Sequence, residues 1–128
     1  MGRRFCRFAV LMLGALMVQP AAAAELRLLM FEQPGCIYCA RWDAEIAPQY
    51  PLTEEGRVAP LTRIQLRDKV PEDIALSRPA VFTPTFVLLA DGIETGRIEG
   101  YPGEDFFWPL LTQLISEAQD ASGDVGEQ

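Results

Sequence analysis

The stretch Pro34-Gly35-Cys36-Ile37-Tyr38-Cys39 joins two segments of different periodicity and decides the fold. Residues 26–32, before it, are mostly apolar and predict a strand. Residues 36–47, after it, place apolar side chains on one side of a helix, and Pro48 ends that helix because proline does not fit a helix interior. The two cysteines are therefore predicted to lie where a strand passes into a helix.

Two cysteines separated by two residues at the start of a helix favour thiol–disulfide chemistry. Unpaired N–H groups and the helix dipole stabilise a thiolate at Cys36, which makes its sulfur the attacking atom. Cys39 lies one turn later and can resolve the mixed disulfide that Cys36 forms with a partner. Two other uses of the pair stay open: a metal half-site completed across a dimer, and a carrier of a soft metal.

The amino terminus has the charged, apolar and small-residue order of a secretory signal peptide. Three arginines among the first seven residues precede an apolar run, residues 8–18, that is shorter than the roughly 20 residues of a membrane span. Four alanines follow, and we predict cleavage after Ala24, with Ala23 as the alternative. Removal of residues 1–24 would place the protein in the periplasm, by Sec or by twin-arginine export. An uncleaved membrane anchor is the other interpretation.

The cysteine and histidine content limits the sites that the chain can build. Cleavage would discard Cys6 and leave Cys36 and Cys39 as the only cysteines, and the sequence has no histidine. A structural zinc site needs four ligands, so we exclude zinc bound within one chain and expect no metal. The expected redox group is the Cys36–Cys39 disulfide itself, with no other cofactor.

Length and charge limit the organisation and the partners. The 104 residues that remain after cleavage suffice for one domain, predicted over residues 25–119, and a polar tail, residues 120–128, is predicted to be disordered. Cleavage removes three of the 11 basic residues and none of the 18 acidic ones, so the net charge becomes more negative than −7. A chain this acidic, without a basic run, is not expected to bind nucleic acid or an anionic membrane.

The rest of the chain alternates predicted strands and helices. Pro71, followed by two acidic residues, is typical of a helix start, and Asp91-Gly92 is typical of a hairpin turn. Pro109 predicts a kink in the last helix. The elements are strands at residues 61–66, 85–90 and 94–99, a short helix at residues 71–77 and a final helix at residues 104–119. We therefore predict an α/β fold with a four-stranded mixed sheet flanked by helices.

Apolar residues form two adjacent stripes along the final helix. They are Phe106, Leu110, Leu114 and Ala118 in one stripe, with Phe107, Leu111 and Ile115 beside it.

Three features in this order make residues 26–119 resemble the thioredoxin superfamily. They are the Pro-Gly-Cys-Ile-Tyr-Cys motif after a strand, Thr83-Pro84-Thr85 before the apolar strand, and the Asp91-Gly92 hairpin that leads to Gly100-Tyr101 and a last helix. The resemblance implies a thioredoxin-like fold and thiol:disulfide oxidoreductase activity.

The same resemblance implies roles for residues outside the cysteine motif. Pro84 would be cis, packed against Cys36, and Thr83 would offer backbone hydrogen bonds to an incoming peptide. Gly100 would let the backbone approach the site closely. Tyr101 and Trp42 are candidates for contacts at the rim of the site, with core packing as the alternative for both.

Two departures from thioredoxin bear on the direction of electron flow. Met30 stands where thioredoxin has a buried aspartate, and Glu32 is the nearest acid that could assist proton transfer at Cys39; a surface acid is the alternative. Ile37-Tyr38 replaces Gly-Pro, and an x-Tyr dipeptide resembles periplasmic disulfide isomerases or reductases and glutaredoxins. A glutaredoxin is disfavoured because no Gly-Gly-x-Asp motif follows Pro84.

The Pro-Gly-Cys-x-Tyr-Cys core and the Gly-Tyr-Pro-Gly start of the last helix resemble the periplasmic thioredoxins of bacterial thiosulfate-oxidation (Sox) systems. The resemblance implies a reductase that keeps the cysteine of a sulfur-carrier protein active, with electrons from a membrane thiol transporter. We expect the protein to be a monomer. A disulfide oxidase or isomerase is the alternative within the fold, and a non-catalytic metal-carrying or binding module is the alternative outside it.

Overall fold

The computed structural model describes residues 22–124. Nearly all of the predicted signal peptide and residues 125–128 of the predicted tail lie outside this range. The elements, in chain order, are β1 (Leu26–Glu32), α1 (Ile37–Glu45), a 3-10 turn (Tyr50–Leu52), α2 (Glu54–Val58), β2 (Leu61–Gln65), β3 (Thr85–Ala90), β4 (Ile93–Glu99) and α3 (Glu104–Asp124).

The four strands form one mixed sheet in the order β2-β1-β3-β4. The crossover through α1 makes β1 and β2 parallel, whereas β3 is antiparallel to both β1 and β4. Asp91 and Gly92 have φ of 50° and 82°, the left-handed pair that a tight hairpin turn requires. The predicted four-stranded mixed sheet flanked by helices is confirmed.

Helices α1 and α3 pack on one face of the sheet around an aromatic core. Trp42 is fully buried and lies between Phe86 and Phe107, with ring centroids 5.3 and 5.8 Å away. Tyr101 is also buried, and its ring lies against Phe107. Both Trp42 and Tyr101 therefore belong to the core, which is one of the two interpretations that the sequence left open for each.

The two stripes of α3 do not share the core equally. The buried residues are Phe107, Leu111, Ile115 and Ala118, whereas Phe106 and Leu110 are 65% and 40% exposed. The helix continues through Pro109 and includes residues 120–124, so the predicted disorder is wrong for those five residues. Adjacent residues are about 100° apart on a helix, so contact with the sheet buries the stripe of Phe107 and, from the other stripe, Ala118.

The other face of the sheet is covered by a segment without a helix. The buried side chains on this face of the sheet are Leu29, Phe31, Val87 and Leu89. The residues that pack on them are Ile64, Leu66, Val70, Ile74, Leu76 and Ala80.

The predicted short helix at residues 71–77 is wrong, since this region is a turn followed by an isolated bridge between Ala75 and Ile93. The N–H of Ala75 donates to the Gly92 carbonyl, and the Ala75 carbonyl accepts from Glu94. Backbone groups that bond to the hairpin cannot close a helical turn, so the tertiary contact overrides the local Pro71 signal.

Candidate redox site

The cysteine motif begins at the amino-terminal cap of α1. Cys36 has the extended backbone of a capping residue (φ −75°, ψ 105°), and its Sγ accepts a hydrogen bond from the Cys39 N–H at 3.1 Å. Gly35 precedes it with φ of 79°, a conformation that glycine adopts without strain. Cys36 and Cys39 are joined by a disulfide. The predicted pair is thus assembled at the junction of strand and helix.

The two sulfurs differ in their access to solvent. Cys39 is 5% exposed and belongs to the aromatic core, whereas Cys36 is half-buried at its edge. In the reduced state the free N–H groups at the start of α1 would favour a thiolate at Cys36. Ile37 and Tyr38, between the cysteines, are 75% and 55% exposed, so Tyr38 faces the solvent at the site.

The loop before β3 is brought to the same end of the sheet. The Thr83–Pro84 peptide bond is cis, and Pro84 is buried. The Gly100 N–H donates to the Pro84 carbonyl at 2.7 Å. Gln33, three residues before Cys36, donates from Nε2 to Thr83 Oγ1 at 2.9 Å. Sequence reasoning missed Gln33, whose only signal was a polar side chain next to the motif.

Gly100 is needed for a different reason from the predicted one. Its φ is 85°, and a Cβ built on it would meet no atom within 4 Å. Space around Gly100 is therefore open, and the left-handed backbone conformation, rather than a close approach, selects glycine.

Glu32 takes part in an ion-pair network centred on an arginine that the sequence did not single out. Arg63 donates to Glu32 at 2.8 Å and to Asp43 at 2.7 Å, and its guanidinium lies 5.5 Å from the centre of the Trp42 ring. The hydrogen bond to Asp43 is the main cause that raises the pKa of Arg63. Met30 is fully buried in the aromatic core.

A shallow depression opens beside the disulfide and contains both acidic ends of this network. Its lining residues are Glu32, Gln33, Gly35, Cys36, Ile37, Cys39, Ala40 and Asp43. Two carboxylates and the disulfide therefore line the same depression.

A second, buried network fixes the segment that leads to the cis proline. Arg97 and Glu94 side chains are only 6% and 5% exposed and are 2.6 Å apart. Glu94 also accepts from the Ser77 N–H at 2.8 Å, and Arg97 donates to the Arg78 carbonyl at 2.8 Å. Burial opposes ionisation of Glu94, but the hydrogen bonds from Arg97 and Ser77 outweigh it and lower the pKa of its carboxyl. Sequence reasoning missed this pair.

Two further observations on residues 22–124 concern membranes and metals. No helix there is both long and apolar enough to cross a membrane. The described residues also contain no group of three or more Cys, His, Asp and Glu side chains placed to hold a metal ion.

Comparisons with known proteins agree with this geometry. A family model described as a thioredoxin-like domain matches residues 15–115. A crystal structure described as the periplasmic thioredoxin SoxS from Paracoccus pantotrophus, in its reduced form, is 71% identical, with a TM-score of 0.72 over 73% of this chain and 99% of that chain. No curated protein sequence matches. The chain therefore belongs to the thioredoxin-like family.

Proposed function

We propose that this chain is a periplasmic thiol:disulfide oxidoreductase that reduces disulfides of partner proteins through Cys36 and Cys39. The observation that carries the proposal is the position of the disulfide. A half-buried Cys36 caps a helix and is bonded to a buried Cys39 within one turn. That difference in access supports attack by Cys36 and resolution by Cys39.

The reaction consists of two thiol–disulfide exchanges. The Cys36 thiolate attacks one sulfur of the partner disulfide, forming a mixed disulfide and releasing the other partner sulfur as a thiolate. Cys39, deprotonated, then attacks Cys36, which restores the Cys36–Cys39 disulfide and releases the second partner sulfur. Each released thiolate takes up a proton. The partner gains two electrons and the chain loses them.

The return to the dithiol state requires an electron donor. A membrane thiol transporter that faces the periplasm would supply the electrons. It would reduce the Cys36–Cys39 disulfide by thiol–disulfide exchange, in which this chain is the protein that is reduced. Similarity to the periplasmic thioredoxin SoxS supports the periplasmic location. The reductase direction and a sulfur-carrier protein as the partner are parts of the proposal that the experiments below test. The chain would act as a monomer.

The residues around the disulfide take supporting roles in this proposal. Glu32 would exchange a proton with Cys39 across the depression that both residues line. It would take the role of the thioredoxin aspartate, whose position is occupied here by Met30. Thr83, before the cis Pro84, would pair its backbone with a partner segment. Tyr38 would contact the partner from the solvent side, and Gly100 would hold Pro84 through its N–H.

The direction of electron flow is tested by the reduction potential and by reduction of insulin. A reductase should have a potential near about −270 mV, whereas a strong oxidant lies near about −120 mV. The protein with dithiothreitol should precipitate insulin faster than dithiothreitol alone. An equal rate would remove the reductase proposal and leave the non-catalytic module, which should then bind a soft metal in a manner that Cys36→Ser abolishes.

The partner is identified by trapping the mixed disulfide. Cys39→Ser removes the resolving sulfur, so the adduct on Cys36 should accumulate in periplasm and reveal its partner by mass spectrometry. Cys36→Ser is the matched control and should trap nothing. The mass of the same secreted protein tests cleavage after Ala24. Equal recovery of adducts from both variants would contradict the assignment of attack to Cys36.

A further inference from the structure

Gln33 and Thr83 connect the two segments that any partner must approach together. Gln33 lies in the turn between β1 and Cys36, is exposed, and donates from Nε2 to the hydroxyl of Thr83. Within residues 22–124 no other side-chain hydrogen bond joins the cysteine segment, residues 33–39, to the loop of the cis proline, residues 78–84. The bond therefore bridges two segments that the pairing of β1 with β3 places side by side.

The bond leaves hydrogen-bonding capacity on both side chains. A hydroxyl has one donor and two acceptor lone pairs, and a primary amide has two donors and a carbonyl acceptor. The pairing uses one Gln33 N–H and one lone pair of Thr83. The Thr83 O–H and the Gln33 Oε1 remain, side by side at the surface, as one donor and one acceptor. These are the groups that a peptide carbonyl and a peptide N–H require.

Hydrogen bonds within the protein hold the loop that carries Thr83, so the Gln33–Thr83 pair is positioned before any partner binds. Thr85 Oγ1 donates to the Phe82 carbonyl at 2.8 Å, and the Gly100 N–H donates to the Pro84 carbonyl at 2.7 Å. Groups that are already ordered lose little conformational entropy on binding, which increases the net contribution of each hydrogen bond.

We propose that Gln33 and Thr83 form a side-chain recognition pair for the main chain of a polypeptide beside its disulfide. This inference rests on the proposed disulfide exchange, because Cys36, which would bond to the partner sulfur, is three residues after Gln33. The pair selects polypeptide disulfides over small disulfides that carry no peptide groups. Its chemistry is independent of the partner's side chains, so it suits more than one protein substrate.

The test compares two substrates in each variant. The measured quantity is the ratio of kcat/KM for reduced protein acting on insulin to that for its action on 2-hydroxyethyl disulfide. Gln33→Ala should lower this ratio about tenfold, the loss that corresponds to one net hydrogen bond of ordinary strength. Thr83→Val, which keeps the shape of the side chain, should lower the ratio similarly, and Thr83→Ser should lower it less.

A double-mutant cycle tests whether the two residues act as a pair. The combination of Gln33→Ala and Thr83→Val should lower the ratio by clearly less than the product of the single effects, because each single change already breaks their bond. Gln113→Ala is the matched control: Gln113 is an exposed glutamine that donates to Glu117 on α3, and its loss should leave the ratio unchanged.

The outcomes separate this inference from the proposed function. An unchanged ratio in Gln33→Ala, or independent effects in the cycle, would overturn the recognition pair while disulfide reduction stands. An unmodified protein that reduces neither insulin nor 2-hydroxyethyl disulfide would overturn the proposed function and the pair with it. Thermal unfolding of each variant should match the unmodified protein, because both side chains lie at the surface.

Discussion

Arg63 and Arg97 each lie at the centre of an ion-pair network, and the two networks lie in opposite environments. Arg97 and Glu94 are buried to 6% and 5% exposure behind the loop of the cis proline. Arg63 joins Glu32 and Asp43 beside the disulfide, where the three side chains are 36%, 20% and 45% exposed.

This difference in burial separates a structural task from a chemical one. A buried charge that loses its partner is left unsolvated, so removal of one partner from the Arg97 network should strongly lower stability. Solvent screens the Arg63 network, so its contribution to stability should be small. Its carboxylates, however, share the depression that opens on Cys36 and Cys39, and their effect should appear in the exchange rate.

The largest effect is expected from breaking the buried pair. Arg97→Met should lower the free energy of unfolding by about 3 kcal/mol, since it leaves Glu94 buried without its partner. Arg63→Met, the matched change in the exposed network, should cost less than about 1 kcal/mol. Urea denaturation measures both. Equal losses would remove the distinction between the two networks.

The pH dependence of stability should sharpen the same comparison. The pKa of the Glu94 carboxyl is lowered in the folded state from its ordinary value of 4.5. At a pH above 4.5, the ionised carboxylate therefore stabilises the fold. That contribution is lost as the pH falls through the lowered pKa. The difference in free energy of unfolding between the unmodified protein and Glu94→Gln should therefore be largest at pH 7 and should decrease in acid.

A gap of constant size across this range would contradict the role of the Glu94 charge. Glu72→Gln provides the control, because the Glu72 side chain is 89% exposed and pairs with Lys69 at the surface. Its stability should follow that of the unmodified protein at every pH.

Glu32 should affect the reaction rate rather than stability. Glu32→Gln keeps the shape of the side chain but cannot accept a proton, so we expect resolution of the mixed disulfide by Cys39 to slow about tenfold or more. Stopped-flow measurement of the resolving step checks this. The free energy of unfolding should change by less than about 1 kcal/mol. An unchanged rate would make Glu32 an ordinary surface acid.

The smallest effect is expected at an ion pair that belongs to neither network. Lys69→Met breaks the pair with Glu72, in which the side chains are 83% and 89% exposed. Exposed pairs contribute little, so the free energy of unfolding should change by less than about 0.5 kcal/mol. A larger loss would show that exposure does not govern the strength of ion pairs in this chain.

The sequence by itself determined the features that depend on local chemistry. Strand periodicity, the proline and glycine signals and the Asp91-Gly92 turn predicted the four strands and the last helix. The spacing of Cys36 and Cys39 after Gly35 placed the pair at a helix start. Each of these features follows from backbone constraints or from neighbours within a few residues, and such constraints are readable in order along the chain.

Only the tertiary structure decided which residues meet across the sheet. Gln33 and Thr83 are 50 residues apart, and Arg63 is 31 residues from Glu32, so no local pattern pairs them. The same holds for residues 71–77, where backbone bonds from Ala75 to the hairpin replace the predicted helix. The cysteine motif could therefore be predicted from the sequence. Its surroundings, to which we assign proton transfer and partner recognition in the proposals above, depend on long-range packing.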